Sequence, residues 1–469
     1  MFAGRDRELE ELEKLFRTRA YQMVIIYGRR RIGKSTLISQ FARDKRSVFF
    51  TATETDSRRN LETFSRAVMK LRGVLGEASF SGWEQAFDEI AALAVKPLIL
   101  IIDEYPYLAQ AEPGISSILQ KYCDTVFRDI PIMIILCGSS MSFMENQVLG
   151  YQSPIYGRRT AQMKIEPFNY RDSAAFVSRY SVTDKALVYG ITGGIPKYLE
   201  LFDDALPLKH NIVNLFLSPA GFLYEEPSNL LKQELREPIK YNLIIEAVAK
   251  GSSRLNEIAT KTGLETSAVS NYIAALISLG IMRKETALTE EKNKRKTLYN
   301  LADTMFVFWY RYVCGNEFVI QTWDAESLYV HEIEPDLSRF MGRVFETMCC
   351  EYLSLVNRQK GNDLPFKILQ TGRWWGTNPE TRSEEEIDII GINEKISSIV
   401  FCECKYRNEP ADLQVLNALL QKAERWNYKR KYYILFSKSG FTKGLQSAAG
   451  KAGIQLVSLR KMYAAFRFS

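Results

Sequence analysis

Histidine is nearly absent: 469 residues hold only two, His210 and His331. Neither lies near a cysteine in sequence, so a Cys/His zinc site or a Ser/His/Asp triad has little to be built from. The seven cysteines, an odd number, show no CxxC spacing, a pattern that fits a reducing cytosol. No apolar run approaches the roughly 20 residues needed to cross a bilayer, and the opening MFAGRDRE is too polar for a signal peptide. The expectation is a soluble, cytoplasmic protein with no membrane partner. A strong charge of one sign is also missing. The balance of 62 Lys and Arg against 55 Asp and Glu leaves +7, which permits a nucleic-acid partner without demanding one. There is no internal repeat and no low-complexity tract, and 46% apolar with 25% charged residues argues against wholesale disorder. The length suggests about three domains.

What is present is concentrated first at residues 28–36, GRRRIGKST, between the apolar run 23–27 and the helix-forming stretch 37–41. A GxxxxGK[ST] spacing between a buried strand and a helix lets backbone N–H groups and the helix N-terminus wrap a phosphate. Lys34 is then placed for the β- and γ-phosphates and the Ser35 hydroxyl for Mg²⁺. A chance glycine-rich turn is the competing explanation, and residues 98–104, LILIIDE, weaken it. Their aliphatic run suits a parallel strand buried on both faces. Two acids emerge at its carboxyl end, where open α/β sheets bind ligands. Asp103 is expected to hold Mg²⁺ through water and Glu104 to polarise the attacking water. Taken alone, adjacent acids would equally suit a solvated turn. The expected nucleotide site is Gly28, Arg29, Arg30, Arg31, Ile32, Gly33, Lys34, Ser35 and Thr36, with ATP and Mg²⁺ as cofactors.

Further along, short apolar strands alternate with amphipathic helices up to about residue 167, the pattern of a parallel sheet with crossover helices. The expected division is a P-loop core over 1–168, a helical lid over 169–237, a winged helix-turn-helix over 238–313, a helical linker over 314–337 and a last α/β domain over 338–469. In the third segment, residues 254–276 place Leu255, Ile258 and Ala259 on a core face and Gly263 at a tight turn. Val269, Tyr272, Ile273 and Leu276 then point inward, leaving Ser267, Ser270 and Asn271 outward. A hairpin with a basic tip at 290–296 follows. Such a module contacts DNA through its second helix and wing, or serves only protein contacts; few cations lie on the second helix.

In the last segment, residues 384–392 and 399–406 read as two strands joined by a turn. Period-2 alternation puts Glu403 and Lys405 on one face, and Asp388 on the neighbouring strand is able to converge with them. A carboxylate pair binds Mg²⁺, and a lysine beside it positions or deprotonates the water that attacks a phosphodiester. An ordinary cross-face ion pair between Glu403 and Lys405 is the alternative. Trp374 and Trp375 suit base stacking or, more commonly, burial.

Residues 1 to about 312 resemble the archaeal-type P-loop ATPases related to the STAND branch of the AAA+ superfamily. FAGRDREL at 2–9 resembles the family's amino-terminal box, whose backbone packs on adenine, a role that falls to Gly4 and Arg5 here. The arginine-rich loop interior is typical. CGSS at 137–140 stands where the family senses the γ-phosphate, which implicates Ser139. YGRRT at 156–160 resembles the arginine-finger motif, so Arg158 or Arg159 would act in trans on a neighbouring subunit. That implies a homo-oligomer; a surface arginine pair is the alternative. GGIPKYLE at 193–200 resembles the lid signature, with Pro196 against the base. No obvious lid arginine serves as a second sensor, and Lys197 is either its substitute or solvated. The carboxyl-terminal segment resembles the PD-(D/E)xK restriction-endonuclease-like fold, found as a domain of unknown function at the end of such ATPases. The resemblance adds Glu346 as an upstream acid and Gln421 as an accessory residue.

The expected fold class is thus α/β: a P-loop AAA+-type sheet with helical lid, a winged helix and a restriction-endonuclease-like domain. The expected function is ATP hydrolysis controlling a Mg²⁺-dependent, DNA-directed nuclease domain, in defence against mobile DNA or in genome maintenance. Catalysis falls to Glu104, Ser139, Arg158 and Arg159 at one end and to Glu346, Asp388, Glu403 and Lys405 at the other. Metal ligation falls to Ser35, Asp103, Asp388 and Glu403. The rival is a signal-transducing ATPase that binds DNA or a protein without cutting.

Overall fold

In the computed structural model the described residues are 3–74, 79–289, 297–322, 324–359, 361, 363–378 and 382–464. Phe2, the basic tip 290–296 and Trp323, all part of the expectations above, lie outside them. The chain folds as two compact units, Met1–Pro167 with Ile195–Lys197, and Phe168–Gly194 with Tyr198–Ser469.

The first unit is built on five strands, β1 (Gln22–Tyr27), β2 (Ser47–Thr51), β3 (Leu98–Asp103), β4 (Ile132–Gly138) and β5 (Ala161–Lys164). They pair in parallel in the order β2-β3-β4-β1-β5. Every residue of β3 and β4 is buried, as aliphatic runs covered on both faces by crossover helices must be. On one face Phe64, Trp83, Phe87 and Phe127 interlock edge-to-face or at a tilt, a geometry aromatic quadrupoles favour. Because β4 is threaded between β1 and β3, the segments leaving β1, β4 and β3 emerge side by side at the carboxyl edge. That order brings residues 28, 139 and 103 together.

The second unit begins with helices, including Val182–Thr192, Leu208–Phe216 and Glu226–Glu234. Three more follow, Pro238–Ala249, Leu255–Thr262 and Thr266–Ser278, then an antiparallel hairpin of β6 (Met282–Glu285) and β7 (Leu298–Leu301). Gly263 ends the middle helix at φ 68°, a left-handed conformation that glycine adopts without strain. Val269, Ile273 and Leu276 are buried and Ser267, Ser270 and Asn271 exposed. Tyr272 is half-buried, its hydroxyl donating to Glu237 at 2.7 Å.

The long helix Glu334–Arg358 packs on a five-stranded sheet of β8 (Gln370–Thr377), β9 (Glu384–Asn393), β10 (Ser398–Lys405), β11 (Arg430–Ser437) and β12 (Gln455–Ser458). The order is β12-β11-β10-β9-β8, with β9 antiparallel to β8 and β10 and the rest parallel. The hairpin root joins this sheet: Ala287 and Leu288 belong to its apolar core, and the Leu288 N–H donates to the Arg373 carbonyl at 2.8 Å. Among the described residues no helix is long and apolar enough to cross a membrane.

Candidate functional site

Two sites emerge, one in each unit. In the first, β1 delivers the chain to Gly28, where φ is 155° and a Cβ would stand 2.5 Å from the Ile165 carbonyl oxygen. Only glycine fits that close backbone approach. Arg31 (φ 71°) and Gly33 (φ 80°) both take left-handed conformations, curling the loop before the helix Lys34–Ala42 begins. Ile32 is fully buried beneath the loop and Lys34 is 6% exposed. The Lys34 ammonium donates to the carbonyls of Gly28 at 2.9 Å and Arg29 at 3.0 Å, which stretches it back across the cradle. Arg30 donates to the Tyr107 hydroxyl at 2.9 Å. Thr36 follows Ser35 on the exposed side of the first turn.

The Ser35 hydroxyl meets Asp103 at 2.7 Å, although the two stand far apart in sequence. Asp103 is 3% exposed. A hydroxyl and a buried carboxylate at this separation are the donor set that a hard octahedral cation takes from protein, and the residues fit Mg²⁺. Next to them Glu104 has φ 52° and ψ 44°, an uncommon conformation for a residue with a side chain. Its Oε2 accepts from Ser139 twice, from the hydroxyl at 2.9 Å and the backbone N–H at 3.3 Å. Ser35, Asp103, Glu104 and Ser139 therefore form one hydrogen-bonded chain at the sheet's carboxyl edge.

Gly4 (φ 64°) and Arg5 (φ 74°) turn the amino-terminal box. Arg5 does more with its side chain than its backbone suggested. The guanidinium donates to the Ile32 carbonyl at 3.2 Å and the Glu166 carbonyl at 2.6 Å, bracing the loop from below. Pro196 Cγ lies 3.8 Å from where a Cβ on Gly33 would stand, and the Lys197 N–H donates to the Arg31 carbonyl at 3.3 Å. Pro196 thus flanks the phosphate loop.

Arg158 forms a bidentate pair with Asp124, at 3.0 and 2.8 Å, and the Arg159 guanidinium lies over the Tyr156 ring at 5.1 Å. Among the described residues neither is bonded to the loop or to Asp103 or Glu104.

In the second unit, carboxylate oxygens of Glu346, Glu386 and Asp388 all lie within 4.8 Å of one another, a grouping able to hold a metal ion. Glu346 comes from the long helix; Glu386 and Asp388 share one face of β9. Asp388 also accepts from the Cys404 N–H at 2.7 Å, which places it against β10. Burial first, then the Glu403 and Glu346 charges, hold the Asp388 carboxyl well above the ordinary carboxylate range. Burial likewise raises Glu346.

Glu403 stands slightly apart, paired with Lys405 at 2.5 Å and Lys422 at 3.5 Å. Burial pulls the Lys405 ammonium down, but the Glu403 and Asp388 carboxylates outweigh it and the net shift is upward. The acids are internally compensated: Arg343 pairs with Glu346 at 3.0 Å and Arg373 donates to Glu386 at 2.5 Å.

The structure joins the expected Glu346, Asp388, Glu403 and Lys405 at one place and adds two residues that sequence reasoning missed. Glu386 was legible in principle, since period 2 puts it on the Asp388 face. Lys422, not Gln421, reaches Glu403. Trp374 is buried in the core, edge-on to Trp426 at 5.4 Å, so the stacking role falls away for it. Thr381, beside the expected site, lies outside the described residues. All described cysteines are unbridged, and burial pushes the Cys349 thiol up to about 12, an unreactive setting.

Comparison with known proteins gives one family match around each site. Residues 2–202 match an ATPase domain found predominantly in Archaea, and residues 309–423 match a domain of archaeal and bacterial proteins of unknown function. The uncharacterized protein MJECL04 of Methanocaldococcus jannaschii is 32% identical over 409 residues, covering 87% of this chain and 88% of that protein. An uncharacterized ATP-binding protein of the same organism, MJ0423, is 44% identical over 46 residues, 10% of this chain and 78% of its own length. Among solved structures, the Walker-type ATPase PABY2304 of Pyrococcus abyssi superposes with a TM-score of 0.52 at 17% identity, over 66% of this chain and 96% of that one. At that identity the likeness speaks for the fold alone.

Proposed function

We propose a function from one premise: this chain belongs to the same family as MJECL04 and carries an archaeal-type ATPase domain followed by a domain of unknown function. Such a chain binds and hydrolyses ATP. The residue roles within that activity are our own assignment. Lys34, released from the Gly28 and Arg29 carbonyls, binds the β- and γ-phosphate oxygens. Ser35 and Asp103 would hold Mg²⁺, which would supply charge neutralisation on the transferring phosphoryl group. Glu104 orients and deprotonates the attacking water, and Ser139, now bonded to it, contacts the γ-phosphate end. Arg158 or Arg159 of a second copy completes the site in a homo-oligomer, which requires Arg158 to leave Asp124. The observation that carries this reading is the 2.7 Å meeting of Ser35 and Asp103.

For the second unit we propose a PD-(D/E)xK-like site that cleaves DNA with Mg²⁺. Glu346, Asp388 and Glu403 would hold the metal, joined by Glu386, and Lys405 would orient the attacking water. The three helices and hairpin of residues 238–301 would serve as a winged helix on the nucleic acid. One observation favours the rival, non-cutting reading: Glu403 already satisfies two lysines within the chain.

The deciding experiment is cleavage of linear and single-stranded DNA by purified protein with Mg²⁺ or Mn²⁺ and ATP. Cutting that disappears in Glu403→Ala/Lys405→Ala while ATP turnover persists supports the nuclease site. Cutting that survives the double change overturns it, and silence under every condition favours the binding module.

A further inference from the structure

Glu351 lies on the same Glu334–Arg358 helix that presents Glu346. Its Oε2 accepts from the Tyr170 backbone N–H at 3.0 Å and its Oε1 from the Tyr189 hydroxyl at 2.7 Å. Both donors belong to the stretch 168–194. Tyr170 is itself fastened, its hydroxyl donating to the Met462 carbonyl at 3.0 Å and its ring edge-on to Tyr463 at 5.1 Å. Tyr189 rides on the helix Val182–Thr192, which approaches the long helix so closely that a Cβ on Gly190 would stand 2.5 Å from Met341 Sδ. Desolvation lifts the Glu351 carboxyl to about 7, a sign that its two donors are needed where it sits.

The stretch 168–194 is tied at its ends, Phe168 N–H to the Gly194 carbonyl at 2.8 Å. Its chain continues directly into Ile195, Pro196 and Lys197, the residues that flank the phosphate loop. On the long helix Glu346 and Glu351 are separated by about 7.5 Å along the axis, at about 1.5 Å per residue. A stiff helix delivers a displacement at one to the other.

We infer that Glu351 is a positioning residue: it fastens the stretch 168–194, which runs on into Ile195–Lys197, to the helix that holds Glu346 against Glu386 and Asp388, so that nucleotide at the phosphate loop changes how Glu346 is held. The inference deepens the proposed carboxyl-terminal site and rests on it. It moves the route of coupling away from the winged helix and onto one helix and two tyrosines. Coupling between such sites spans about 5- to 150-fold in affinity and is reciprocal.

The test is hydrogen exchange of the full chain, with and without a non-hydrolysable ATP analogue and Mg²⁺, read over residues 343–351. In the native protein the analogue should slow exchange there by about fivefold or more. Tyr189→Phe keeps the ring and deletes one donor, and Glu351→Gln keeps the shape. Each should cut that response to less than about twofold while analogue affinity stays within about twofold of native. A native chain without the response, or variants that retain it in full, would overturn the assignment. Since exchange is read without cleavage, an inert nuclease site counts against the nuclease reading alone and leaves this result standing.

Discussion

The two acidic sites solve the same problem in opposite ways. At the sheet edge of the first unit, Asp103 and Glu104 are satisfied by neutral donors, the hydroxyls of Ser35 and Ser139 and backbone amides. In the second unit Glu346, Glu386 and Glu403 are matched by Arg343, Arg373, Lys405 and Lys422. A cation entering the first site turns hydroxyls and carboxylates toward itself. A cation entering the second must displace guanidinium and ammonium groups already present. The two clusters therefore differ in partner chemistry as well as in the number of acids, and they should answer differently to mutation.

The largest contrast should come from Glu104→Gln. Turnover should fall by about 10²- to 10⁴-fold, the usual worth of a general base, with nucleotide affinity retained; phosphate release and analogue titration check the two halves. Next, Lys34→Ala should weaken nucleotide binding by about 10²-fold or more, since a buried charge partner is lost. Mn²⁺ binding at the carboxyl-terminal site should persist in that variant, and titration with a paramagnetic readout would show it. Equal loss at both sites would erase the distinction.

A smaller effect concerns pH at the second site. Asp388 is held protonated above the ordinary carboxylate range, and a carboxyl must ionise to ligate, so Mn²⁺ affinity at the second site should rise with pH by up to about tenfold per unit through that window. Stability runs the other way: the folded state keeps a proton that the unfolded chain gives up, so this group's contribution declines as pH rises from the ordinary carboxylate range to its raised value, then levels off. Asp388→Asn should flatten that decline in urea midpoints. Smallest of all, Arg373→Met should free Glu386 and tighten Mn²⁺ by about two- to fivefold, the scale of a partly exposed ion pair. Weaker binding there would show that Arg373 supports the site rather than competing for it.

Much of the first site was legible because its information is local. A GxxxxGK[ST] loop, a strand before it and an acid pair after an aliphatic run are each contained in a short window, and period and spacing identify them. The strands that contain the apolar runs 23–27 and 98–102 were legible for the same reason. What windows cannot carry is pairing. Nothing near residue 104 shows that its carboxylate is held by Ser139, and nothing near Arg5 shows that its guanidinium reaches the Ile32 and Glu166 carbonyls.

At the carboxyl terminus the separation widens. Asp388, Glu403 and Lys405 could be read from two strands and a turn, whereas Lys422 depends on which face of the following helix turns inward. Nothing within a turn of Glu351 sets it apart from the other acids of the helix Glu334–Arg358. Its role depends on two tyrosines more than 150 residues earlier.

The amino-acid sequence by itself determined which residues can cradle a phosphate, which strands must be buried on both sides, and where carboxylates end a strand, because propensity, periodicity and glycine's freedom act between near neighbours. Only the tertiary structure decided which acid meets a hydroxyl and which meets a cation, and which helix ties one stretch to another. Those outcomes depend on strand order and helix rotation, which bring together groups that no local pattern relates.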